Sequence, residues 1–284
     1  MAKEPQTLGG KVVAITGAAR GIGRATAQAL AAKGMAVAIG DIDLDLAQRT
    51  AEELGAGVIA LEVDVTERAS VASFLDSVES QLGPLDVLVN NAGIMHLGRL
   101  LVEADETAQR MLDININGVL YGVKEVLPRF LARGSGHLVN IASAAGKTGF
   151  AGGATYSGTK HFVVGMSEAL RVELHGTAIN VSVVMPSVVE TELAAGLPRV
   201  RGVRNVRPEE VAAAIVRALE HPRFDVYVPR TVGPITTVTS LLPRRARDVL
   251  AHALRAEQVL DVVDTAARRE YEERAARSAS RTEV

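Results

Sequence analysis

Tyr156 and Lys160 lie four residues apart near the end of the stretch SAAGKTGFAGGATYSGTK, which covers residues 143–160. If a helix begins in this stretch, that spacing places both side chains on one face. A phenol beside an ammonium group is suited to exchanging a proton with a substrate oxygen, because the positive charge favours the phenolate and lowers a pKa that is ordinarily about 10. The alternative is an ordinary surface pair, since helices carry many such spacings.

Three glycines, Gly17, Gly21 and Gly23, follow the first apolar run within the sequence TGAARGIG. Glycines at a strand-to-helix turn let the backbone turn tightly, approach a pyrophosphate group without a Cβ in the way, and pack the helix against the strand. The first N–H groups of the helix then face the phosphates at the positive end of the helix dipole. The spacing G-x-x-x-G-x-G departs from the commoner G-x-G-x-x-G, so it is the position between strand and helix that predicts a nucleotide site.

Asp41 ends the second apolar run, at the place where the adenosine ribose of a bound dinucleotide should lie. A carboxylate there accepts hydrogen bonds from the 2′- and 3′-hydroxyls and repels a 2′-phosphate, which favours NAD over NADP. Arg20 favours NADP instead, because a guanidinium in the glycine turn could hold the 2′-phosphate. Asp41 could instead cap the next helix, although Asp43 is also placed to do so. We predict NAD as the favoured ligand.

Short β-branched runs alternate with alanine-rich stretches along the chain. The pattern predicts strands at 12–16, 35–40, 58–63, 85–90, 137–141 and 179–185, and helices at 21–33, 44–54, 67–82, 107–133 and 156–174. Such alternation is typical of an α/β fold, a doubly wound Rossmann-type parallel sheet with helices on both faces. We predict a single domain over 9–228, including a substrate loop at 187–207, followed by a C-terminal loop and amphipathic helical extension at 229–284.

In this order, the motifs resemble those of the short-chain dehydrogenase/reductase superfamily, in its short single-domain branch, over residues 9–228. The matching features are TGAARGIG at 16–23, NNAG at 90–93, and Asp64, Asn115, Ser143, Tyr156 and Lys160. The resemblance implies hydride transfer between a nicotinamide and a secondary alcohol or ketone, with Tyr156 as the proton donor or acceptor. Ser143 would hold the substrate oxygen, Lys160 the nicotinamide ribose, and Asn115 a water that links Lys160 to solvent.

The same resemblance implies a set of cofactor contacts along the carboxyl edge of the sheet. They are Gly17, Arg20, Gly21, Ile22, Gly23, Asp41, Asp64, Val65, Asn91, Ala92, Gly93, Tyr156, Lys160, Val189 and Thr191. Asp64 could equally cap the helix that follows it. Relatives usually carry Pro-Gly where this chain has Pro186 and Ser187, so the turn expected beside the nicotinamide departs from the family pattern.

Composition argues against several other classes of site. The chain of 284 residues has no cysteine and its six histidines are scattered, so we expect neither a disulfide nor a metal site. A formal net charge of −2 gives no field that would attract nucleic acid. No apolar run reaches the roughly 18 residues of a membrane-spanning helix, and the N-terminus lacks the apolar core of a secretory signal. We therefore expect a cytoplasmic protein with a small-molecule substrate.

The segment 192–207 leaves two interpretations open. It has no acidic residue after Glu192 and carries four arginines: Arg199, Arg201, Arg204 and Arg207. It is either a solvated loop, as connecting segments usually are, or a lid whose arginines meet the phosphates of an acyl carrier or coenzyme A.

The sequence predicts a loop at residues 227–242, because Pro229 and Pro234 interrupt the segment and Pro243 follows it. From Arg244 onward a modest apolar stripe predicts a helix, with Val249, Ala253, Ala256, Leu260, Val263 and Ala267 at spacings of three and four. This helix packs either on its own domain or on a second subunit. Interspersed acidic residues disfavour a membrane-surface helix.

The favoured function is an NAD(P)-dependent alcohol/ketone oxidoreductase with an apolar substrate, such as a lipid, a steroid-like molecule or an acyl group. One alternative is a 3-oxoacyl-CoA or acyl-carrier-protein reductase. Another is a non-catalytic nucleotide sensor, which would have no need of Ser143, Tyr156 and Lys160 together. The family resemblance also implies a homo-oligomer, either a dimer or a tetramer.

Overall fold

The computed structural model describes residues 4–197, 204–246 and 265–277. Within them one parallel sheet contains β1 (Val12–Thr16), β2 (Ala36–Asp41), β3 (Val58–Glu62), β4 (Val87–Asn90), β5 (Gly136–Ile141), β6 (Ile179–Pro186) and β7 (Asp225–Val228). The order across the sheet is β3-β2-β1-β4-β5-β6-β7. Successive strands are therefore added on one side of β1 up to β3 and on its other side from β4 onward, so the strand order reverses between β1 and β4. The loops that follow these two strands part at the carboxyl edge and leave a crevice, where ligands of open α/β sheets bind.

Helices cover both faces of the sheet, which confirms the predicted Rossmann-type α/β fold. They are α1 (Gly21–Ala31), α2 (Leu44–Leu54), α3 (Arg68–Leu82), α4 (Asp105–Leu112), α5 (Gly118–Arg133), α6 (Ala154–Glu173), α7 (Pro208–Glu220), α8 (Val232–Leu241) and a tail helix (Thr265–Arg277). The first, second and seventh helices pack on one face, and the third, fifth and sixth on the other.

The central strands are apolar on both faces, as expected for a parallel sheet between two helical layers. In β1, Val13 and Ile15 belong to the core on one face, whereas Val12 and Ala14 belong to the core on the other. This division follows from the alternation of side chains along a strand. Each fully buried Val or Ile side chain contributes roughly 1.5–3 kcal/mol, so the strands provide a firm base for the loops at their carboxyl ends.

The predicted helix 107–133 forms a continuous helical run with an internal irregularity. The segment Asp113–Asn117, between α4 and α5, is π-helical, and Asn115 within it is fully buried. A π-helical turn holds an extra residue and re-aims the side chains around it, and such turns are frequent at functional sites. The sequence pattern identified the helix but not this widened turn.

The prediction that 227–242 is a loop is wrong. Tyr227 belongs to β7, and most of the remainder is the helix α8. Pro234 lies in the first turn of that helix, where a missing N–H leaves no helical hydrogen bond unmade. Gly233 packs closely on the Tyr227 ring, which fixes the start of the helix against the strand. Of the predicted apolar stripe, Val249, Ala253, Ala256, Leu260 and Val263 lie outside the described residues.

His137, at the start of β5, is buried at the edge of the sheet opposite the crevice. Its Nε2 lies 2.8 Å from the Ser182 hydroxyl oxygen, and that hydroxyl donates its proton to the carbonyl of Arg223 at 2.6 Å. Ser182 can therefore only accept from the imidazole, so Nε2 carries the proton of the neutral ring. Burial, with a smaller contribution from the charge on Lys11, lowers the His137 pKa to about 4.

This buried imidazole should make the fold acid-sensitive. The unfolded chain binds a proton at His137 below about pH 6.5, whereas the folded chain does so only near pH 4, so stability is lost as the pH falls through that window. Between pH 7.5 and pH 5 we expect the free energy of unfolding to fall by about 2 kcal/mol from this group. Urea unfolding of the wild type and of His137→Gln at both pH values measures this. An equal pH dependence of the free energy of unfolding in the two proteins would contradict the assignment of this loss of stability to His137.

Candidate active site

A cavity of about 990 Å³ runs along the carboxyl edge of the sheet. Its wall at one end is the glycine turn after β1, and its wall at the other includes Ser143, Tyr156 and Lys160. The cavity therefore brings together the predicted phosphate site and the predicted reacting groups, which are more than 120 residues apart along the chain.

The glycine turn is packed too closely for side chains. Gly17 has φ 62°, and a Cβ there would lie 2.7 Å from the Ala92 Cα. A Cβ on Gly23 would lie 2.5 Å from the Gly17 carbonyl oxygen and 2.7 Å from the Asn91 Nδ2. Asn91 holds the turn by donating to the carbonyls of Thr16 at 2.9 Å and Gly17 at 2.8 Å. Asn91 and Ala92 thus shape the turn from the neighbouring strand end.

The N-terminus of α1 fits an anionic group. Its N-cap residue, Arg20, makes no capping hydrogen bond, and the first turn contains no acidic side chain. Helix N-termini leave several N–H groups without intrahelical partners, and here Gly21 and Ile22 line the cavity. This combination of free donors and positive dipole suits the pyrophosphate of a dinucleotide.

Asp41, at the end of β2, lines the same cavity. Its carboxylate accepts from the backbone N–H groups of Ala19 at 3.0 Å and of Asp43 at 3.2 Å. Burial raises the Asp41 pKa, although these two hydrogen bonds and the Arg20 charge oppose the rise. Asp43, not Asp41, caps α2, because it accepts from the Leu46 N–H at 3.1 Å.

Arg20 does not turn to solvent. Its guanidinium pairs with Asp43 at 3.0 Å and with Glu192 at 3.3 Å. Binding a 2′-phosphate would require this guanidinium to exchange at least part of those contacts, and the phosphate would meet Asp41 and Asp43 nearby.

Asp64 follows β3 and lines the cavity beside Val65. One of its carboxylate oxygens accepts from the backbone N–H of Thr66 at 2.9 Å and from the Thr66 hydroxyl at 2.7 Å. The side chain thus closes a turn before α3, whose N-cap residue is Glu67. The other oxygen has no hydrogen-bond donor among the described residues, so it is placed to accept from a ligand.

At the reacting end, α6 begins at Ala154 and presents Tyr156 and Lys160 on one face. The Lys160 ammonium lies 5.7 Å from the Tyr156 ring centroid and donates to the Ile141 carbonyl at 3.0 Å. Ser143 comes from the loop after β5 and hydrogen-bonds Tyr156. Ser143 is itself held by the Ala145 N–H at 3.1 Å. The three predicted reacting groups are therefore adjacent.

The Tyr156 pKa differs from the expectation that the neighbouring Lys160 ammonium lowers it. Burial raises the Tyr156 pKa to about 12, and the hydrogen bond with Ser143 offsets only part of that rise. Burial also lowers the Lys160 pKa to about 8. Desolvation thus has the largest effect on both pKa values, and Tyr156 holds its proton at neutral pH. The phenol is in the form that can donate a proton to an oxygen.

Asn115 joins two parts of the site. Its Oδ1 accepts from the Ile94 N–H, and its Nδ2 donates to the Ile94 carbonyl, both at 2.9 Å. The Nδ2 also donates to the Thr159 hydroxyl at 3.1 Å, next to Lys160. Asn115 therefore bonds the loop after β4 and α6, rather than only its own helix. A Cβ on Gly93 would lie 3.1 Å from the Asn115 Oδ1 and 3.5 Å from the Lys160 Nζ.

The loop after β6 forms part of the cavity wall. Ser187, the departure from the family pattern, donates its N–H to the Val228 carbonyl at 2.8 Å and its hydroxyl to the Arg204 carbonyl at 3.1 Å. Val189 and Thr191 line the cavity. The Thr191 methyl lies 3.5 Å from the position of a Cβ on Gly21, so this loop reaches the glycine turn.

Arg204, one of the four arginines of the segment 192–207, is not an unpaired cation. Arg204 pairs with Glu210, and the same carboxylate accepts from the Arg207 N–H at 2.9 Å. Arg199 and Arg201 lie outside the described residues. What the structure shows of this segment therefore gives the phosphate-binding lid no support.

The tail helix contributes to the site in a way that the sequence pattern does not predict. Tyr271, Arg274 and Ala275 line the cavity, and Arg268 is only 1% exposed. Glu192 was also missed: it pairs with Arg274 at 2.7 Å while it pairs with Arg20, and so connects the tail helix to the glycine turn. The only signal in the sequence was the helical stripe that includes Ala267, the neighbour of Arg268.

No helix among the described residues is sufficiently long and apolar to span a bilayer. Nor do they contain a group of three or more His, Asp or Glu side chains that could hold a metal ion.

Known proteins similar to this chain include dehydrogenases and reductases. Residues 11–201 match the short chain dehydrogenase family. The chain is 39% identical over 217 residues to cis-4-hydroxycyclohexanecarboxylate dehydrogenase of Sinomonas cyclohexanicum, covering 72% of this chain and 87% of that protein. It is 37% identical to glycine betaine reductase ATRR of Emericella nidulans over 76% of this chain, but spans only 18% of that protein. A crystal structure of a short chain dehydrogenase/reductase from Burkholderia phymatum, in complex with NAD, is 27% identical with a TM-score of 0.77, covering 83% of this chain and 94% of that one.

Proposed function

Because the chain belongs to the short chain dehydrogenase family and is thus an NAD(P)-dependent oxidoreductase of alcohols and ketones, we propose that it prefers NAD and acts on a secondary alcohol or ketone with an apolar body. The observation that carries this proposal is the single cavity that joins Ser143, Tyr156 and Lys160 to the glycine turn. A nucleotide sensor would need only the second of these features.

The residues present fit a nicotinamide dinucleotide, which when bound accepts or supplies the hydride. The free N–H groups at the start of α1 would hold the pyrophosphate, and Asp41 the adenosine ribose. The Asp64 carboxylate oxygen that has no donor among the described residues would accept from the adenine amino group. Lys160 would hold the nicotinamide ribose, and Val189 and Thr191 would border the nicotinamide.

The proton chemistry is assigned to Tyr156. A phenol that keeps its proton at neutral pH can donate it to the oxygen of a ketone as that carbon is reduced, and can take it back in the reverse direction. Ser143 would hydrogen-bond the same oxygen and stabilise the negative charge that develops on it. Lys160, fixed by the Ile141 carbonyl, would keep a positive charge close to the phenol in both directions.

The surroundings of Tyr156 favour an apolar substrate body. Met95 and Met111 are buried against Tyr156, with partly buried Phe150 and Leu193 beside them. Phe150 meets the Tyr156 ring edge-on, at 6.4 Å between centroids. Such a lining binds hydrocarbon by excluding water. It leaves few polar groups to fix the reacting oxygen, so Ser143 and Tyr156 would set the position of that oxygen.

We propose one catalytic domain over 9–228 that functions together with part of the 229–284 extension. By family resemblance it works as a homo-oligomer, and size-exclusion chromatography with light scattering would measure the number of subunits.

Asp41 should determine the choice of cofactor. We expect NADH to bind the wild type at least about tenfold more tightly than NADPH, because the Asp41 carboxylate repels a 2′-phosphate while accepting from a 2′-hydroxyl. Asp41→Asn should reduce this preference to within about threefold, mainly by improving NADPH binding. The NAD complex of the Burkholderia phymatum relative is consistent with this preference. Titration of the nicotinamide fluorescence measures both affinities, and the chain has no Trp to interfere.

Asp105→Asn is the matched control, because it removes an exposed carboxylate at the start of α4 that does not line the cavity. Both affinities should be unchanged in that variant. Tighter binding of NADPH than of NADH by the wild type would show that Arg20 outweighs Asp41, and the preference for NAD would be wrong.

A further inference from the structure

We propose that Tyr271, presented by the tail helix, is a specificity-determining residue, whose hydroxyl group hydrogen-bonds a second oxygen of the substrate within a few bonds of the reacting carbon. The substrate class is then a diol or hydroxyketone with an otherwise apolar body, rather than a plain alcohol or ketone. This inference rests on the proposed function, because it describes how the same cavity would select its substrate.

The tail helix is anchored at the cavity by a buried arginine. Arg268 donates to the Met95 carbonyl at 2.7 Å, to the Ala195 carbonyl at 3.0 Å and to the Leu193 carbonyl at 3.2 Å. These carbonyls belong to the loop after β4 and the loop after β6, which flank the substrate end. Since a buried charge is costly unless it is fully hydrogen-bonded, the three carbonyls and the ion pair with Glu272 fix the helix in place.

Charged contacts at the rim hold the same helix. Arg274 pairs with Glu192 at 2.7 Å, and Arg110 of α4 donates to the Ala275 carbonyl at 2.6 Å. The tail helix thus contacts both sides of the cavity. Its inward-facing side chains are consequently part of the wall that a substrate would meet.

Tyr271 lies three residues after Arg268 on the tail helix, and the Arg268 guanidinium is 5.3 Å from the centroid of its ring. Its hydroxyl oxygen accepts from the Met95 N–H at 2.9 Å. The hydroxyl proton meets no acceptor within residues 4–197, 204–246 and 265–277. A phenol oxygen that is already accepting, and whose proton is uncommitted, is a ready donor to a ligand oxygen.

The Tyr271 hydroxyl lies beside the reacting groups. Tyr271 and Tyr156 line the same cavity, and Met95, whose N–H donates to the Tyr271 hydroxyl, is buried in the same cluster as Tyr156. Ser143 and Tyr156 are engaged with the oxygen that reacts. The uncommitted proton of Tyr271 therefore suits a second oxygen of the same molecule, and a site built to hydrogen-bond such an oxygen discriminates against an analogue that lacks it.

The test uses pairs of secondary alcohols that differ by one hydroxyl: 2,3-butanediol with 2-butanol, and cis-1,3-cyclohexanediol with cyclohexanol. We expect the wild type to show about tenfold higher kcat/KM for the diol of a pair. In Tyr271→Phe this preference should fall to within about twofold, although both members lose some activity because the Met95 N–H loses its acceptor. Tyr227→Phe, which removes a hydroxyl outside the cavity, should keep the preference.

A merely structural role of Tyr271 would lower both members of each pair equally and keep their ratio, and that result would overturn the inference. Equal kcat/KM for both members in the wild type would overturn it as well. Failure of the proposed function would look different: the protein would bind the cofactor and yet oxidise no alcohol of either kind.

Discussion

Tyr156→Phe should lower kcat by on the order of 10³ while the affinity for NADH changes by less than about threefold. The substitution removes the proton that the phenol would exchange with the substrate oxygen and keeps the ring that packs on Phe150. Cofactor affinity should persist because the groups proposed to hold the dinucleotide lie mostly elsewhere, in the glycine turn and at Asp41. Steady-state kinetics in both reaction directions, together with the fluorescence titration, separate the two effects.

Tyr227→Phe is the matched control, since Tyr227 of β7 packs on Gly233 of α8 and does not line the cavity. It should leave kcat unchanged. Turnover by Tyr156→Phe at the wild-type rate would remove Tyr156 from the chemistry. A loss of both turnover and NADH binding would instead show that the ring is required to form the cofactor site.

Gly23→Ala should weaken NADH binding by about 100-fold, because its Cβ would collide with backbone that cannot yield locally. The nearest atoms are the Gly17 carbonyl oxygen at 2.5 Å and the Ala18 Cα at 2.7 Å. The turn must therefore shift by a sizeable fraction of an ångström, which moves the N–H groups aimed at the pyrophosphate. The titration of nicotinamide fluorescence measures this loss directly.

Gly165→Ala tests the same substitution where space is available. Gly165 is an exposed position of α6, and a Cβ there would meet no atom within 4 Å. NADH affinity should be unchanged, and the free energy of unfolding should rise by up to about 1 kcal/mol because Ala favours a helix over Gly. Unimpaired NADH binding by Gly23→Ala would mean that the turn does not hold the phosphates.

The site could be predicted from sequence where it depends on local spacing and on the topology of a parallel sheet. A spacing of four places Tyr156 and Lys160 on one helix face. The strand ends of a parallel sheet meet at one edge, so Gly17, Asp41 and Ser143 had to converge. These inferences need no knowledge of side-chain packing.

The parts that could not be predicted depend on contacts between residues distant in the chain. Arg268 is buried because carbonyls of two remote loops surround its guanidinium, whereas a pattern based on hydropathy places an arginine on the surface. The Tyr156 pKa likewise depends on the burial of the phenol in the folded site, which raises it. The helix α8 was mistaken for a loop because its prolines stand before it and within its first turn, where they do not interrupt helical hydrogen bonds.

The most direct test of the central claim is to follow a deuterium atom. A set of secondary alcohols and diols deuterated at the carbinol carbon would be incubated with the protein and NAD, and the cofactor analysed by mass spectrometry. We expect deuterium on the nicotinamide ring of the cofactor with the wild type, and a rate of transfer lower by on the order of 10³ with Tyr156→Phe. Cofactor that binds but acquires no deuterium from any of these alcohols, or equal transfer by both proteins, would contradict the account.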